Sequence, residues 1–174
     1  MEDLKHLGTY VGIVGQVADA PGGEVVRGIR ERKYAVSHIS IVYGCIEGAT
    51  YYPDSSRYDR MNAELIAALP ETDEWPYLTR DLFAVPRDEH MFATQVVTFG
   101  ASYNLVEWVW DVWLAKFESL LRQMYWDAVY VHLKTELVGN HHYQWVPTGV
   151  GELLGPVTVW DFSGGPRDFK DHQR

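Results

Sequence analysis

Hydrophobic and polar residues alternate with a period of two in several stretches, and this spacing predicts β-strands that bury one face. Ile39, Ile41 and Tyr43 alternate in this way with the residues at 38, 40 and 42. From 129 to 138 the odd positions are mostly aliphatic, whereas the even positions are mostly polar or aromatic. Further β-rich stretches predict strands at 9–17, 82–85, 94–99, 143–146 and 157–162.

Apolar residues spaced three and four apart predict one long amphipathic helix over about 104–125. Its apolar stripe consists of Val106, Trp110, Trp113, Phe117, Leu120, Leu121 and Met124. Asn104 lies three residues before Glu107, which is the spacing of an N-cap and the glutamate that completes a capping box. A second, shorter helix is predicted over about 55–69, where the apolar stripe consists of Tyr58, Met61, Leu65 and Leu69.

The order of these elements predicts an α+β fold. Turns of hairpin length join most of the strands, and the two helices do not alternate regularly with them, so we expect a mostly antiparallel sheet packed against the long helix. We expect a single domain over 1–174. The segment 163–174 begins with Ser-Gly-Gly-Pro and continues with polar residues, which predicts a flexible tail.

The charge of the chain narrows the range of partners. Its 15 Lys and Arg residues and 24 Asp and Glu residues give a formal net charge of -9. Such a chain repels phosphate backbones, so we expect no nucleic-acid partner. A basic protein is the partner that this charge would attract, although acidity also serves general solubility.

Other features bear on the compartment. Cys45 is the single cysteine, so an internal disulfide is impossible and no oxidising compartment is implied. The first residues lack the basic and apolar regions of a signal peptide, and charges interrupt every apolar stretch before the roughly 18 residues that a membrane span needs. We therefore expect a cytoplasmic protein with no membrane partner.

The alternative function is a small hydrolase or a metal-dependent enzyme. Two imidazoles and a carboxylate can hold a catalytic zinc ion with an open position, and the residues that could supply them are His132, Glu136, His141 and His142. Their spacing matches no familiar ligand motif, and the polar face of a strand is the plainer explanation of His132 and Glu136. Dinucleotide, phosphate-loop and serine-elbow motifs are absent from the sequence, so we expect no cofactor.

The favoured function is binding to another protein, because acidic residues lie beside tryptophans at two places. The preferred contact is the acidic loop that contains Glu71, Asp73, Glu74 and Trp75. The second candidate is the polar side of the predicted long helix, with Glu107, Trp108 and Asp111. Carboxylates steer a cationic partner, and an adjacent indole can anchor it once water is excluded. Trp108 could equally belong to a second packed layer.

The segment from Phe99 to Glu118, the pair Tyr125-Trp126 and the segment from Val131 to Trp145 resemble a family of small acidic bacterial immunity proteins. The resemblance covers about the carboxy-terminal half of the chain and rests on general character. It implies that the partner is a toxin domain that the chain neutralises. A third hypothesis is a structural or assembly subunit, for which a large apolar sheet face would be the telling observation. The oligomeric state stays open.

Overall fold

An antiparallel sheet of six strands forms the centre of the computed structural model, which describes residues 38–50, 55–86, 95–148 and 155–170. Its strands are β1 (Ile39–Gly48), β2 (Phe83–Ala84), β3 (Val96–Asn104), β4 (Trp126–Thr135), β5 (Asn140–Pro147) and β6 (Trp160–Gly164). Their order across the sheet is β2-β3-β1-β4-β5-β6, and every neighbouring pair is antiparallel. The described residues belong to one unit, Ala35–Arg174, so the strand predicted at 9–17 lies outside them.

The helices are α1 (Ser55–Ala67) and α2 (Trp110–Leu121). With the antiparallel sheet, they confirm the predicted α+β class. Among the described residues, neither helix has the length and hydropathy needed to cross a bilayer.

The helix α2 covers one face of the sheet with aromatic side chains. Phe117, which is fully buried, lies 5.1 Å from Phe99 of β3 and 5.8 Å from Trp145 of β5, measured between ring centroids. Trp110 stacks on Trp113 at 4.8 Å within the helix and contacts Tyr143 of β5. Such rings bury large apolar areas, so these contacts form the main core.

The predicted helix over 104–125 is shorter than expected. Asn104 is the last residue of β3 and pairs with Ile39, so it is not an N-cap. Leu105 then adopts the left-handed conformation, with φ 58°, and a 3₁₀ turn over Val106–Val109 precedes the α-helix. The left-handed conformation of Leu105 makes a sharp bend between β3 and the 3₁₀ turn, so the predicted helix does not begin at Asn104.

The face of β1 that is buried is not the one with the larger apolar residues. Val42 and Ile46 point into the core together with Ser40, whereas Ile39, Ile41 and Tyr43 are exposed on the opposite face. In β4, by contrast, Val129, Val131 and Leu133 are buried as the alternation predicted.

The helix α1 docks through a buried asparagine. The Nδ2 group of Asn62 donates to the backbone carbonyl of Tyr125 at 2.7 Å, and its Oδ1 accepts from the backbone N–H of Tyr125 at 2.9 Å. Met61, which belongs to the predicted apolar stripe, is exposed, and Ile66 is buried instead. The buried face is therefore rotated from the predicted one.

The described part of the predicted flexible tail, residues 163–170, packs against the rest of the unit. Phe169 is buried and its ring lies 4.8 Å from the ring of His141. The Tyr143 hydroxyl donates to the carbonyl of Pro166, and Arg167 forms an ion pair with Glu118 at 2.8 Å. Burial of the phenyl ring offsets the cost of ordering these residues.

Candidate binding site

The acidic loop between α1 and β2 is organised by Asp73. Its carboxylate accepts hydrogen bonds from the backbone N–H of Glu74 at 2.8 Å and of Leu78 at 3.0 Å. Lys116 of α2 donates to the same carboxylate at 2.8 Å. Partial burial would raise the pKa of Asp73, but the hydrogen bonds from Lys116 and the two N–H groups outweigh it and hold the pKa below its usual value. The Asp73 carboxylate is therefore used to hold the loop and is not available to a partner.

Lys116 ties the loop to the helix at three points. Besides the Asp73 carboxylate, its ammonium donates to the carbonyl of Glu74 at 2.7 Å and to that of Pro76 at 3.1 Å. One ammonium group has three donors, so all of them are used. The Asp73 carboxylate and the Lys116 ammonium together therefore hold the backbone from Asp73 to Leu78 in place.

Two aromatic side chains stand on this fixed backbone and face solvent. Trp75 is 40% exposed and Tyr77 is 49% exposed, and their rings meet edge to face at 5.3 Å. Beneath them, the hydroxyl of buried Tyr103 donates to the carbonyl of Tyr77 at 2.8 Å and accepts from the indole N–H of Trp113 at 3.2 Å. The exposed aromatic pair is thus anchored to the core.

An open cleft of about 360 Å³ lies between this loop and β3. It is lined on the loop side by Trp75, Tyr77, Thr79, Asp81 and Leu82, and on the sheet side by residues 100–104 of β3. The cleft lies beside the end of the short β2 pairing: within the described residues, β2 pairs with β3 at Phe99 and Thr98, and the 3₁₀ turn Arg80–Leu82 precedes it.

The charges around the cleft are mainly negative. Among the described residues that line the cleft, Asp81 is the single charged one, and Arg80 lies 3.8 Å from its carboxylate. Glu71 is paired with Arg80 in an exposed ion pair. Glu74 is exposed, and its carboxylate has no ion-pair partner within the described ranges. Of the four predicted loop residues, Glu74 and Trp75 are therefore the two that remain available to a partner.

The second predicted group is divided between the core and the surface. Glu107 is 1% exposed, so it cannot be a contact for a partner; one of its carboxylate oxygens accepts a hydrogen bond from the buried Ser40 hydroxyl. Asp111 forms an ion pair with Lys170 at 2.5 Å, and this hydrogen bond lowers its pKa. Trp108 is half-buried and packs against the core. Glu107 lies in the 3₁₀ turn Val106–Val109 with its side chain in the core, and not on the polar side of an α-helix as predicted.

The residues of the alternative enzyme site are divided between the two faces of the sheet. His132 and His142 are cross-strand neighbours on the face away from α2, with their Nδ1 atoms 2.5 Å apart. His141 is on the other face, where its Nε2 atom hydrogen-bonds to the carbonyl of Val138. The Glu136 carboxylate lies 3.2 Å from Nδ1 of His38. In the part of the chain that the structure describes, no three histidine, cysteine, aspartate or glutamate side chains could hold a metal ion together.

The sheet face opposite α2 carries an apolar row with polar neighbours. This apolar row consists of Ile39, Ile41 and Tyr43 on β1. The ring of Tyr43 stacks on the ring of His132, with the centroids 4.8 Å apart. Burial and the neighbouring His142 lower the pKa of His132. Exposed polar residues of β3 and β4, such as Ser102 and Lys134, flank the row.

The predicted site residues did not include Tyr77, Asp81 or the edge of β3. Tyr77 stands two residues after Trp75, so an aromatic pair around a proline was a usable signal. No sequence signal predicts the open edge of β3, because this edge depends on where β2 ends.

Comparison of the chain with protein-family models, curated proteins and solved structures finds no match.

Proposed function

We propose that this chain is a protein-binding module whose contact surface is the loop from Asp73 to Tyr77 with the adjoining cleft. The observation that carries the proposal is the pair of exposed aromatic rings, Trp75 and Tyr77, on a backbone that Asp73 and Lys116 hold in place. Tryptophan and tyrosine dominate the binding energy of protein interfaces, because they bury a large area at a small entropic cost.

The fixed backbone supports binding rather than mere exposure. A loop that is already ordered loses less conformational entropy when a partner docks, so more of the contact energy becomes affinity. The hydrogen bonds of Lys116 to two loop carbonyls supply this order in the free protein.

A basic protein is the proposed partner. Glu74 and Asp81 are exposed beside the aromatic rings, and the net charge of the chain is -9. Opposite charges accelerate the encounter, and the desolvated aromatic contact then slows dissociation. A toxin domain that this chain neutralises is the partner class implied by the resemblance to immunity proteins.

Site-specific photo-crosslinking in the expressing cell tests this proposal. A photoreactive phenylalanine analogue replaces Tyr77 in one variant and, in a control variant, the more exposed Val159, which precedes β6 at the opposite edge of the sheet. We expect a covalent adduct with a basic protein at 77 and none at 159. Equal adducts at both positions, or an acidic partner at 77, would contradict the proposed surface.

Charge variants provide the matched kinetic test. Glu74→Lys and Glu64→Lys change the charge equally, and neither carboxylate forms an ion pair with another described residue. Glu74→Lys should slow association with the captured partner about threefold at physiological salt, because unit charges a few ångströms apart interact by about 1 kcal/mol in water before screening. Glu64→Lys, on α1, should leave the rate unchanged. Equal effects would indicate that net charge alone matters.

A second candidate function is supported by the row of Ile39, Ile41 and Tyr43 on the exposed sheet face. Such a row is the observation expected for an assembly subunit, since contiguous exposed apolar residues mark association surfaces. Sedimentation of the parent and of Ile41→Lys over a range of concentrations separates the two functions. A self-association that Ile41→Lys removes would favour the assembly subunit.

A further inference from the structure

We infer that the open edge of β3 accepts an extended, basic segment of the partner as an additional strand of the sheet. This inference deepens the proposed function and rests on it. Within the described residues, β2 covers β3 only at Thr98 and Phe99, so the edge from Gly100 to Asn104 has no strand beside it.

The lining of the cleft locates it along this edge. Consecutive residues of a strand point to opposite faces of the sheet. Tyr103 is buried on the α2 face, whereas Ser102 and Asn104 are exposed on the other face, yet the cleft is lined by all the residues from 100 to 104. A cleft in contact with both sets lies over the edge of the strand and not over one face.

This edge offers hydrogen-bonding groups. β3 pairs with β1 along its other side, through Asn104 to Val96. In an antiparallel pair, alternate residues direct both N–H and C=O away from the partner strand. The segment Gly100–Asn104 is about 17 Å long at the usual rise, so two or three of its residues present such groups to the cleft.

The charge of the cleft selects the side chains of the occupant. Asp81 lines it, Glu74 is exposed nearby, and no lysine or arginine lines it within the described residues. Trp75 and Tyr77 line it, and an arginine can stack on an exposed aromatic ring. A strand that carries Arg or Lys at alternate positions therefore matches the cleft, because main-chain bonds supply affinity and the wall supplies specificity.

A second copy of the chain matches it less well. A two-fold interface through β3 would bring the same surface of each copy together. Asp81 and Glu74 of one copy would then approach the same acidic residues of the other, and like charges across strands oppose pairing. We therefore assign the edge to a basic segment of another protein.

Peptide probes and amide exchange on the full chain test this assignment. The first probe is a six-residue peptide of alternating Arg and Val, the second replaces Arg with Glu, and the third is the Arg peptide with every amide N-methylated. We expect the Arg peptide to bind at least tenfold more tightly than either of the others, since the second reverses the charge and the third removes the donors. Asp81→Asn should weaken binding about threefold. The matched control Asp161→Asn, on β6 at the far edge, should not.

Amide exchange identifies the contact itself. Binding of the Arg peptide should slow exchange about tenfold at alternate residues between Gly100 and Asn104, and leave β6 (Trp160–Gly164) unchanged. Signals that move only at Trp75 and Tyr77 would overturn strand addition but leave the proposed function intact. Equal binding of the N-methylated peptide, or no binding of the Arg peptide at about 1 mM, would also overturn it. If exchange at this edge slows as the protein concentration rises, with no peptide present, the edge would be assigned to a second copy instead. The proposed function fails separately, in the crosslinking at Tyr77.

Discussion

Replacing Asp73 with Ala should release the loop that carries the aromatic pair. The variant loses a carboxylate that accepts from the N–H groups of Glu74 and Leu78 and from the ammonium of Lys116. Leu78 is buried, so its N–H would be left without a partner in a place that water reaches poorly. An unsatisfied buried donor costs about 1–3 kcal/mol, and we expect a loss near the middle of this range, about 2 kcal/mol.

Amide exchange at Leu78 measures this loss directly, because its N–H is bonded to the deleted carboxylate. A loss of about 2 kcal/mol corresponds to roughly thirtyfold faster exchange. The control is Asp81→Ala, whose carboxylate is largely exposed and lies 3.8 Å from Arg80. It should change neither this exchange rate nor the free energy of unfolding by more than about 0.5 kcal/mol.

A double-mutant cycle with Lys116→Met isolates the ion pair. The two side chains are 23% and 28% exposed, so their coupling should reach the upper end of the surface range, about 1 kcal/mol. The pKa of Asp73 is lowered in the folded state, so its contribution is complete above the unfolded pKa of about 4 and disappears as the pH falls through the folded value. The stability difference between the parent and Asp73→Asn should therefore be constant near pH 7 and shrink below about pH 4. Equal Leu78 exchange in Asp73→Ala and Asp81→Ala would refute this account of the loop.

Three further changes test the core. Phe117→Ala removes a fully buried ring from the centre of the aromatic cluster and should lower the free energy of unfolding by about 3–5 kcal/mol in a denaturant series. Asn62→Leu removes both side-chain bonds to the backbone of Tyr125 and should cost about 2–3 kcal/mol by the same measurement. Gly44→Ala would place a Cβ 2.0 Å from the carbonyl oxygen of Tyr130, so β1 must shift; we expect a loss above about 2 kcal/mol and a lower melting temperature.

Matched controls accompany these three changes. Val112→Ala on the exposed side of α2, Asn140→Leu at the exposed start of β5 and Gly100→Ala on β3 should each stay within about 0.5–1 kcal/mol of the parent. A Cβ at Gly100 would come no closer than 3.4 Å to Tyr43, which is near ordinary contact. A core variant that costs no more than its control would show that the buried face has been misassigned.

The sequence predicted those parts of the fold whose pattern is local. The alternation in β4 identified its buried face because Val129, Val131 and Leu133 are aliphatic, whereas the residues between them are aromatic or polar. The same rule fails for β1, where Ile39, Ile41 and Tyr43 are exposed. Buried Ser40 instead donates to buried Glu107, 67 residues away, and no local pattern contains that bond.

The candidate site was predictable to a similar extent. An acidic stretch around a tryptophan located the loop, but the separate roles of Asp73 and Glu74 depend on Lys116, which lies 43 residues beyond Asp73. The open edge of β3 depends on the two-residue length of β2, which is set by the 3₁₀ turn before it. Long-range pairings of this kind need the fold itself.

The dissociation rate of the Trp75→Ala variant from the partner crosslinked at position 77 tests the central claim most directly. Trp75 is 40% exposed and its ring contacts Tyr77 and Tyr103, so exchange at the Leu78 amide and the free energy of unfolding are measured alongside the dissociation rate to show that the variant keeps the loop in place. A hot-spot indole contributes about 2 kcal/mol or more, which predicts dissociation roughly thirtyfold faster than that of the parent at an unchanged association rate. If Trp75→Ala dissociates at the rate of the parent, this loop is not the binding surface.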